Sequence, residues 1–346
     1  MIQNQRFHNV DALRGLASLA VCWFHLTNGN VDFLPESTLK LSGAYGWLGV
    51  EVFFVISGFI IPYALWQSGY QLSHYFRFLY KRIVRLDPPY IVSLAVVISL
   101  AYLSYISPGF RGEKPDYSYM QILLHLGYLN MFFDYPWINI IYWTLAIEFQ
   151  YYLLIGLIFP LLIARKTWVR WGTYILLGML SLLIPKGTFV FNWIFLFLAG
   201  VNVFQYKCGF INRPTFLVSL CLLSCGLWYT HGVLILFVGV FTALAVAFIA
   251  VRNSFMSFLG KISYSLYLIH APIGGRVVNL SMRYIDSYVG KLFTLAIALS
   301  MSIMSAYLLY RIIEKPAQEW SRGIKYVSHM RNPFYIAKVK HKSAGV

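Results

Sequence analysis

Charge is what this sequence is short of. Of its 346 residues only 12% are charged while 59% are apolar, against roughly 25% and 45–50% in an ordinary soluble domain. A soluble fold could not hide that much apolar surface. Carboxylates are scarcer still, with 12 Asp and Glu against 28 Lys and Arg. Cysteine is rare as well. Cys22, Cys208, Cys221 and Cys225 show no metal-ligand or disulfide-framework spacing, and three of them lie inside apolar runs where a thiol acts as a small hydrophobe, so neither a metal site nor a disulfide is expected. No loop is long enough for a separate soluble domain, and there is no internal repeat or low-complexity segment. A cleavable signal peptide is not expected, because the first apolar run carries Arg14 and His25 and no small-residue cleavage site follows; that run is read as a retained first helix.

What is there instead is a series of apolar runs, most of them long enough for the about 20 helical residues that cross a bilayer core. Eleven begin near Ala12, Ala44, Pro88, Tyr119, Asn139, Thr173, Thr188, Pro214, Val233, Ile262 and Lys291. If all crossed, the basic loop with Arg165, Lys166 and Arg170 would share a side with the acidic loops at Glu36 and Asp116. The run from Tyr119 to Phe133 is short and carries His125 and Asn130. Reading it as re-entrant leaves about ten transmembrane helices in an all-α polytopic protein, with both termini and the basic clusters at 77–85, 165–170 and 311 onward in the cytoplasm. Two regions are expected: a membrane domain over 1–316 and a basic cytoplasmic tail over 317–346. The tail's Arg322, Lys325, Arg331, Lys338, Lys340 and Lys342 suit an anionic lipid surface. The formal charge of +16 is thus a membrane-topology signal, and no nucleic-acid partner is expected.

Ionisable residues at bilayer depth cost at least about 2.5 kcal/mol each and mark functional sites. Arg14 and His25 are eleven residues apart, so they share a helix face about 16 Å apart along the axis, with Ser18 and Cys22 on the stripe between them. Arg14 alone could snorkel to headgroups and His25 could simply meet water. Glu51 and Glu148, in the second run and in the run from Asn139, are expected to be protonated or paired, with His25 and an arginine as partners. His270, near the middle of its run, reads equally as a satisfied histidine of a polar bundle interior. Between the second and third runs, Arg82 and Arg85 are helical neighbours suited to phosphate, and Pro88 with Pro89 is expected to end that element. Arg77 and Lys81 read better as topology-setting charges.

Six segments in this order resemble the acyltransferase 3 family of integral membrane acyltransferases, from about Phe7 to Pro316. They are Arg14 and His25 with ten residues between them; Glu51 to Phe59, where the family more often has aspartate; Arg82, Arg85 and Pro88; Trp143 to Glu148, with Thr144 in place of serine and Phe149 in place of a frequent second glutamate; Ile262 to Pro272; and Tyr310 to Pro316.

The resemblance implies an O-acyltransferase of the bacterial inner membrane. It would move an acyl group, most often acetyl, from cytoplasmic acyl-CoA to a hydroxyl of a glycan or lipid-linked glycan, with no bound cofactor. Arg14, Arg82 and Arg85 would hold the CoA phosphates, His25 would act as general base, and Glu148 or Glu51 would orient it as the third member of a triad. A transient acyl-enzyme is the other route. Trp143, Tyr151, Tyr267, His270, Arg311 and Glu314 stand as acceptor contacts or structural polar groups. Some relatives carry an extracytoplasmic hydrolase-like domain, so a second transfer step would fall to a separate protein. A glycan or lipid exporter would share the spans, charges and aromatics (18% of residues) but would have no need of acyl-CoA.

Overall fold

The computed structural model describes residues 7–326 apart from 109, 111 and 252. Among the described residues there is no strand. Twelve α-helices follow in order: α1 His8–Asn28, α2 Thr38–Gly43, α3 Gly49–Gln67, α4 Tyr75–Tyr105, α5 Tyr119–Leu126, α6 Trp143–Leu162, α7 Thr167–Leu183, α8 Ile194–Lys207, α9 Arg213–Phe248, α10 Ser254–Ser281, α11 Tyr288–Leu309 and α12 Lys315–Gly323. Several begin at a side chain that accepts a first-turn N–H: Asn212 from Thr215, Asn253 from Met256 and Ser287 from Gly290. Among the described residues, five helical stretches are long and apolar enough to cross a membrane. Their outer faces expose large apolar side chains, among them Phe237, Phe241 and Phe293.

One of the five, α9, folds back on itself. At Gly232 the backbone leaves the helix with φ 79° and ψ −178°, a conformation that glycine holds without steric cost. The Arg213 guanidinium lies 5.3 Å above the Phe248 ring, and Phe216 packs on the same ring at 5.8 Å. A straight helix would hold those ends about 50 Å apart. The element is therefore a hairpin of two antiparallel rods, matching the two runs read near Pro214 and Val233.

Pro88 and Pro89 do not end a helix. α4 continues through both for 31 residues. Each proline removes a bond to the carbonyl four residues back, but packing outweighs the loss. Pro89 is buried, and in the same turn the Tyr264 hydroxyl donates to the Leu86 carbonyl at 2.9 Å. Arg82, Arg85 and Tyr90 consequently ride on one rigid rod.

The short run after Tyr119 makes an eight-residue helix, α5, followed by irregular backbone with Tyr128 at φ 58°. His125 holds this segment together. Its Nε2 accepts the Ile138 N–H at 3.1 Å, so Nδ1 carries the proton and donates to the Gln121 carbonyl at 2.7 Å.

Two packed clusters divide the bundle. One gathers α3, α6, α8 and α9, the other α1, α4, α10 and α11. Close backbone approach joins each: α3 meets α8 through Gly58 and Gly200, and α1 meets α10 through Gly15 and Gly260, where a methyl group would overlap the opposite chain. The polar site lies on the seam between the clusters.

The described part of the expected tail is docked. The Ser321 hydroxyl donates to the Lys81 carbonyl, Arg77 and Lys81 donate to the carbonyls of Lys325 and Ile324, and the Tyr326 ring stacks on His74. Arg331, Lys338, Lys340 and Lys342 lie outside the described residues.

Candidate active site

A cavity of about 140 Å³ opens on the seam. α1 supplies Arg14, α3 Ser57, α4 Arg82 and Arg85, α6 Thr144 and Glu148, and α10 Ser263, Tyr264 and Tyr267, while Glu314 closes one side. Arg82 and Arg85 share a face because they are three residues apart on the unbroken α4. Glu314 belongs to a π-helical turn, Tyr310–Glu314, that joins α11 to α12. Such turns re-aim side chains and recur at functional sites.

The charges in this cavity are arranged unevenly. Both carboxylates are taken up by neutral donors: Glu148 accepts from the Ser57 hydroxyl at 2.7 Å, and Glu314 from the Ser265 hydroxyl at 2.5 Å and the Gln318 amide at 2.8 Å. None of the three guanidiniums has a carboxylate within 4 Å among the described residues. Arg82 lies against the rings of Phe78 and Tyr152 at 5.2 and 5.5 Å, and its buried Nε has no hydrogen-bond partner. Three forks of donors therefore face one cavity without a carboxylate in direct contact, and against the two carboxylates on its wall the cations are in excess. That arrangement suits a ligand bearing several anionic oxygens.

His25 is not on the wall of this cavity. Ser18 and Cys22, which separate it from Arg14 on α1, are fully buried, so the stripe between the two ends is packed over. The His25 ring packs instead on His270, with centroids 5.2 Å apart and planes at 42°, and on Phe24. His270 is fully buried. Its Nδ1 lies 2.9 Å from the Leu266 carbonyl, which can only accept, so Nδ1 carries the proton. Nε2 is left as an acceptor without a partner. Tyr267, 6.1 Å from His270 ring to ring, forms the cavity wall on that side, and its hydroxyl bonds Thr144 at 2.7 Å and the Ile141 carbonyl at 3.2 Å.

The structure thus brings Arg14, Arg82, Arg85, Glu148, Tyr267 and Glu314 to one cavity, and His25 and His270 together beside it. Neither Glu51 nor Glu148 hydrogen-bonds His25. Glu51 is buried off the cavity with Oε2 unpartnered, and Glu148 is engaged by Ser57. Trp143 packs against Phe54 and Trp193, and Tyr151 stacks on Phe197 at 4.1 Å. Arg311 is exposed, bonded to the Tyr307 hydroxyl. These three lie outside the cavity. Ser57, Ser265 and Tyr152 were not singled out from the sequence. The signal for the first two was available, as hydroxyls embedded in apolar runs near a carboxylate or histidine.

Comparison with known proteins is consistent across the chain. A relative from Staphylococcus aureus strain COL, provisionally named an O-acetyltransferase, is 27% identical over 380 aligned positions, covering 94% of this chain and 59% of its own length. Peptidoglycan O-acetyltransferase OatA of Listeria monocytogenes is 26% identical over 372 positions, covering 90% of this chain and 56% of its own length. A protein of Acidianus two-tailed virus, provisionally named an acetyltransferase, is 32% identical over 157 positions, covering 45% of this chain. The chain spans less than three-fifths of the length of the first two. No solved structure matches it. The profile of the acyltransferase 3 family, described as an acyltransferase domain, matches residues 7–311, and the chain belongs to that family.

Proposed function

We propose that this chain is a membrane O-acyltransferase that takes an acyl group, acetyl foremost, from acyl-CoA and places it on a hydroxyl of a glycan. The observation that carries the reading is the convergence of Arg14, Arg82 and Arg85, without carboxylate partners, on one cavity. Coenzyme A offers the matching chemistry: a diphosphate and a 3′-phosphate at one end and a thioester at the other. The two ends of α1's polar stripe are about 16 Å apart, comparable with an extended pantetheine arm. Tyr267 stands between the cavity and the histidines and is the side chain that must give way as the thioester advances.

At His25 the neutral imidazole takes the proton of the acceptor hydroxyl as its oxygen attacks the thioester carbonyl. The acyl–sulfur bond breaks, an acyl–oxygen ester forms, and the proton passes to the departing thiolate as free CoA thiol. His270, with Nε2 unpartnered and the His25 ring against it, is placed to accept from the second nitrogen of His25 and so to hold the imidazole in register. Glu148, bonded to Ser57 on the cavity wall, belongs to the donor site in this scheme.

The same reading takes α1, α3, α4, α6, α7, α8, the two arms of α9, α10 and α11 as ten spans, with α5 re-entrant. Residues 1–316 form the membrane domain, in a bacterial inner membrane, and 317–346 the basic cytoplasmic tail. Contacts support a common side for the basic segments. Arg77 and Lys81 meet residues 324–325, and Arg170 donates to the Phe210 carbonyl, whose ring packs on Trp66 at the end of α3.

The test is release of free CoA thiol by the purified protein in nanodiscs, given acetyl-CoA and a surface-glycan fraction. His25→Ala should lower the rate by about 10²–10⁴-fold while acetyl-CoA binding is kept. A wild-type rate in that variant would refute the scheme.

A further inference from the structure

A second cavity, of about 230 Å³, opens at the opposite end of α10 from the arginines. The two cavities follow one another along the same pair of elements. α10 gives Tyr264 and Tyr267 to the first and Gly275 and Arg276 to the second; the chain entering α6 gives Asn139 to the second, and α6 gives Glu148 to the first. Tyr264 and Arg276 are about 18 Å apart along the helix. His270 lies between them on α10, with His25 against it. An acceptor in the second cavity would therefore approach the histidines from the side opposite the donor.

The polar side chains facing this cavity are Asn139, Arg276 and Asn279, and Asn279 accepts from the Asn30 amide through Oδ1, which leaves its own N–H groups as donors. Asn139 is 8% exposed, and its Nδ2 makes no well-formed hydrogen bond, although the Tyr142 hydroxyl interacts with it. Arg276 donates through Nη1 to Ser104 at 2.6 Å, but its buried Nε has no partner, and no carboxylate lies within 4 Å of it among the described residues. Beside these donors are apolar Val97, Ile138 and Pro272, and Gly275, whose side-chain position faces open space. Donors and a cation beside an apolar wall suit a sugar ring that carries an oxyanion.

We propose that this cavity is the acceptor subsite and that it selects a sugar bearing an oxyanionic substituent, carboxylate or phosphate, held by Arg276 and Asn139 with a hydroxyl turned to His25. The assignment rests on the O-acyltransferase reading. It adds the class of acceptor.

The test uses the full chain in nanodiscs and three probes at millimolar concentration: methyl glucuronide, glucose 6-phosphate and methyl glucoside. Binding of each is measured for wild type, Arg276→Gln and Gly275→Leu, with acetyl-CoA binding as the control for folding. The expected result is that one anionic sugar binds wild type at least tenfold more tightly than the neutral one, and which one it is separates carboxylate from phosphate. Arg276→Gln should erase that preference, and Gly275→Leu, which fills the cavity, should remove sugar binding altogether. Acetyl-CoA affinity should stay within twofold in both variants. Equal binding of neutral and anionic sugars, anionic binding that survives both substitutions, or no sugar binding by wild type would each overturn the proposal. Anionic sugar binding by a wild type that releases no CoA thiol would instead refute the acyl-transfer reading and leave the subsite standing.

Discussion

Replacing Arg85 with glutamine separates a structural arginine from one kept for its ligand. In the apo protein Arg85 shares a turn of α4 with Arg82 and faces Arg14 across the cavity, with no carboxylate within 4 Å. Helical neighbours three residues apart sit about 5–6 Å from one another. At about 6 Å and an effective dielectric of about 20, two like charges repel by about 3 kcal/mol. Part of this is lost to solvent entering the cavity, so removing the charge should stabilise the empty protein by about 1–2 kcal/mol. The same substitution deletes charge-assisted hydrogen bonds to phosphate worth about 1.5–3 kcal/mol, which weakens acyl-CoA binding about ten- to hundredfold. Thermal unfolding in nanodiscs without ligand and calorimetric titration with acetyl-CoA read the two effects on one sample. A higher unfolding midpoint with weaker binding is the expected pair. A lower midpoint with unchanged affinity would show that Arg85 is structural and would refute the assignment.

Two further substitutions test the scaffold around the site. Gly58→Ala should destabilise the fold by about 1–3 kcal/mol, because a methyl group there overlaps the Phe197 backbone of α8; an unchanged denaturation midpoint would show that α3 and α8 can separate freely. Ser57→Ala removes the donor to Glu148 and should lower CoA-thiol release about tenfold or more, on a charged hydrogen bond of about 1.5–3 kcal/mol. If release stays at the wild-type rate, the Ser57–Glu148 bond has no part in donor binding or chemistry.

Much of this protein is legible along the chain because the bilayer leaves few choices. A chain in lipid closes its backbone hydrogen bonds in helices or in a closed barrel, and continuous apolar runs of about 20 residues, in place of short alternating ones, select the helical fold. Charge at bilayer depth is so costly that Arg14, His25, Glu51 and Glu148 stand out without any structure, Arg82 and Arg85 stand out by their helical spacing, and the order of these segments, ending in the one that holds Glu314, carries the resemblance to the family. The hairpin at Gly232 was visible as two runs, since the break in apolar periodicity and the turn coincide.

What the chain could not settle is which of these groups meet. Pro88 and Pro89 read locally as a stop, yet packing against α10 carries α4 through them, because a buried helix has neighbours to satisfy what proline leaves open. Glu148 was expected beside His25, but the fold gives it Ser57, ninety-one residues away in sequence, and gives His25 a second histidine. Single-turn spacing determines which residues share a helix face; which faces oppose one another depends on close contacts such as Gly15 with Gly260 and Gly58 with Gly200. Sequence by itself determined the membrane fold, the family and the set of polar residues at depth. Tertiary packing alone decided that the arginines would converge without a carboxylate in contact while the carboxylates bonded to hydroxyls, because that outcome depends on distances between helices far apart in the chain.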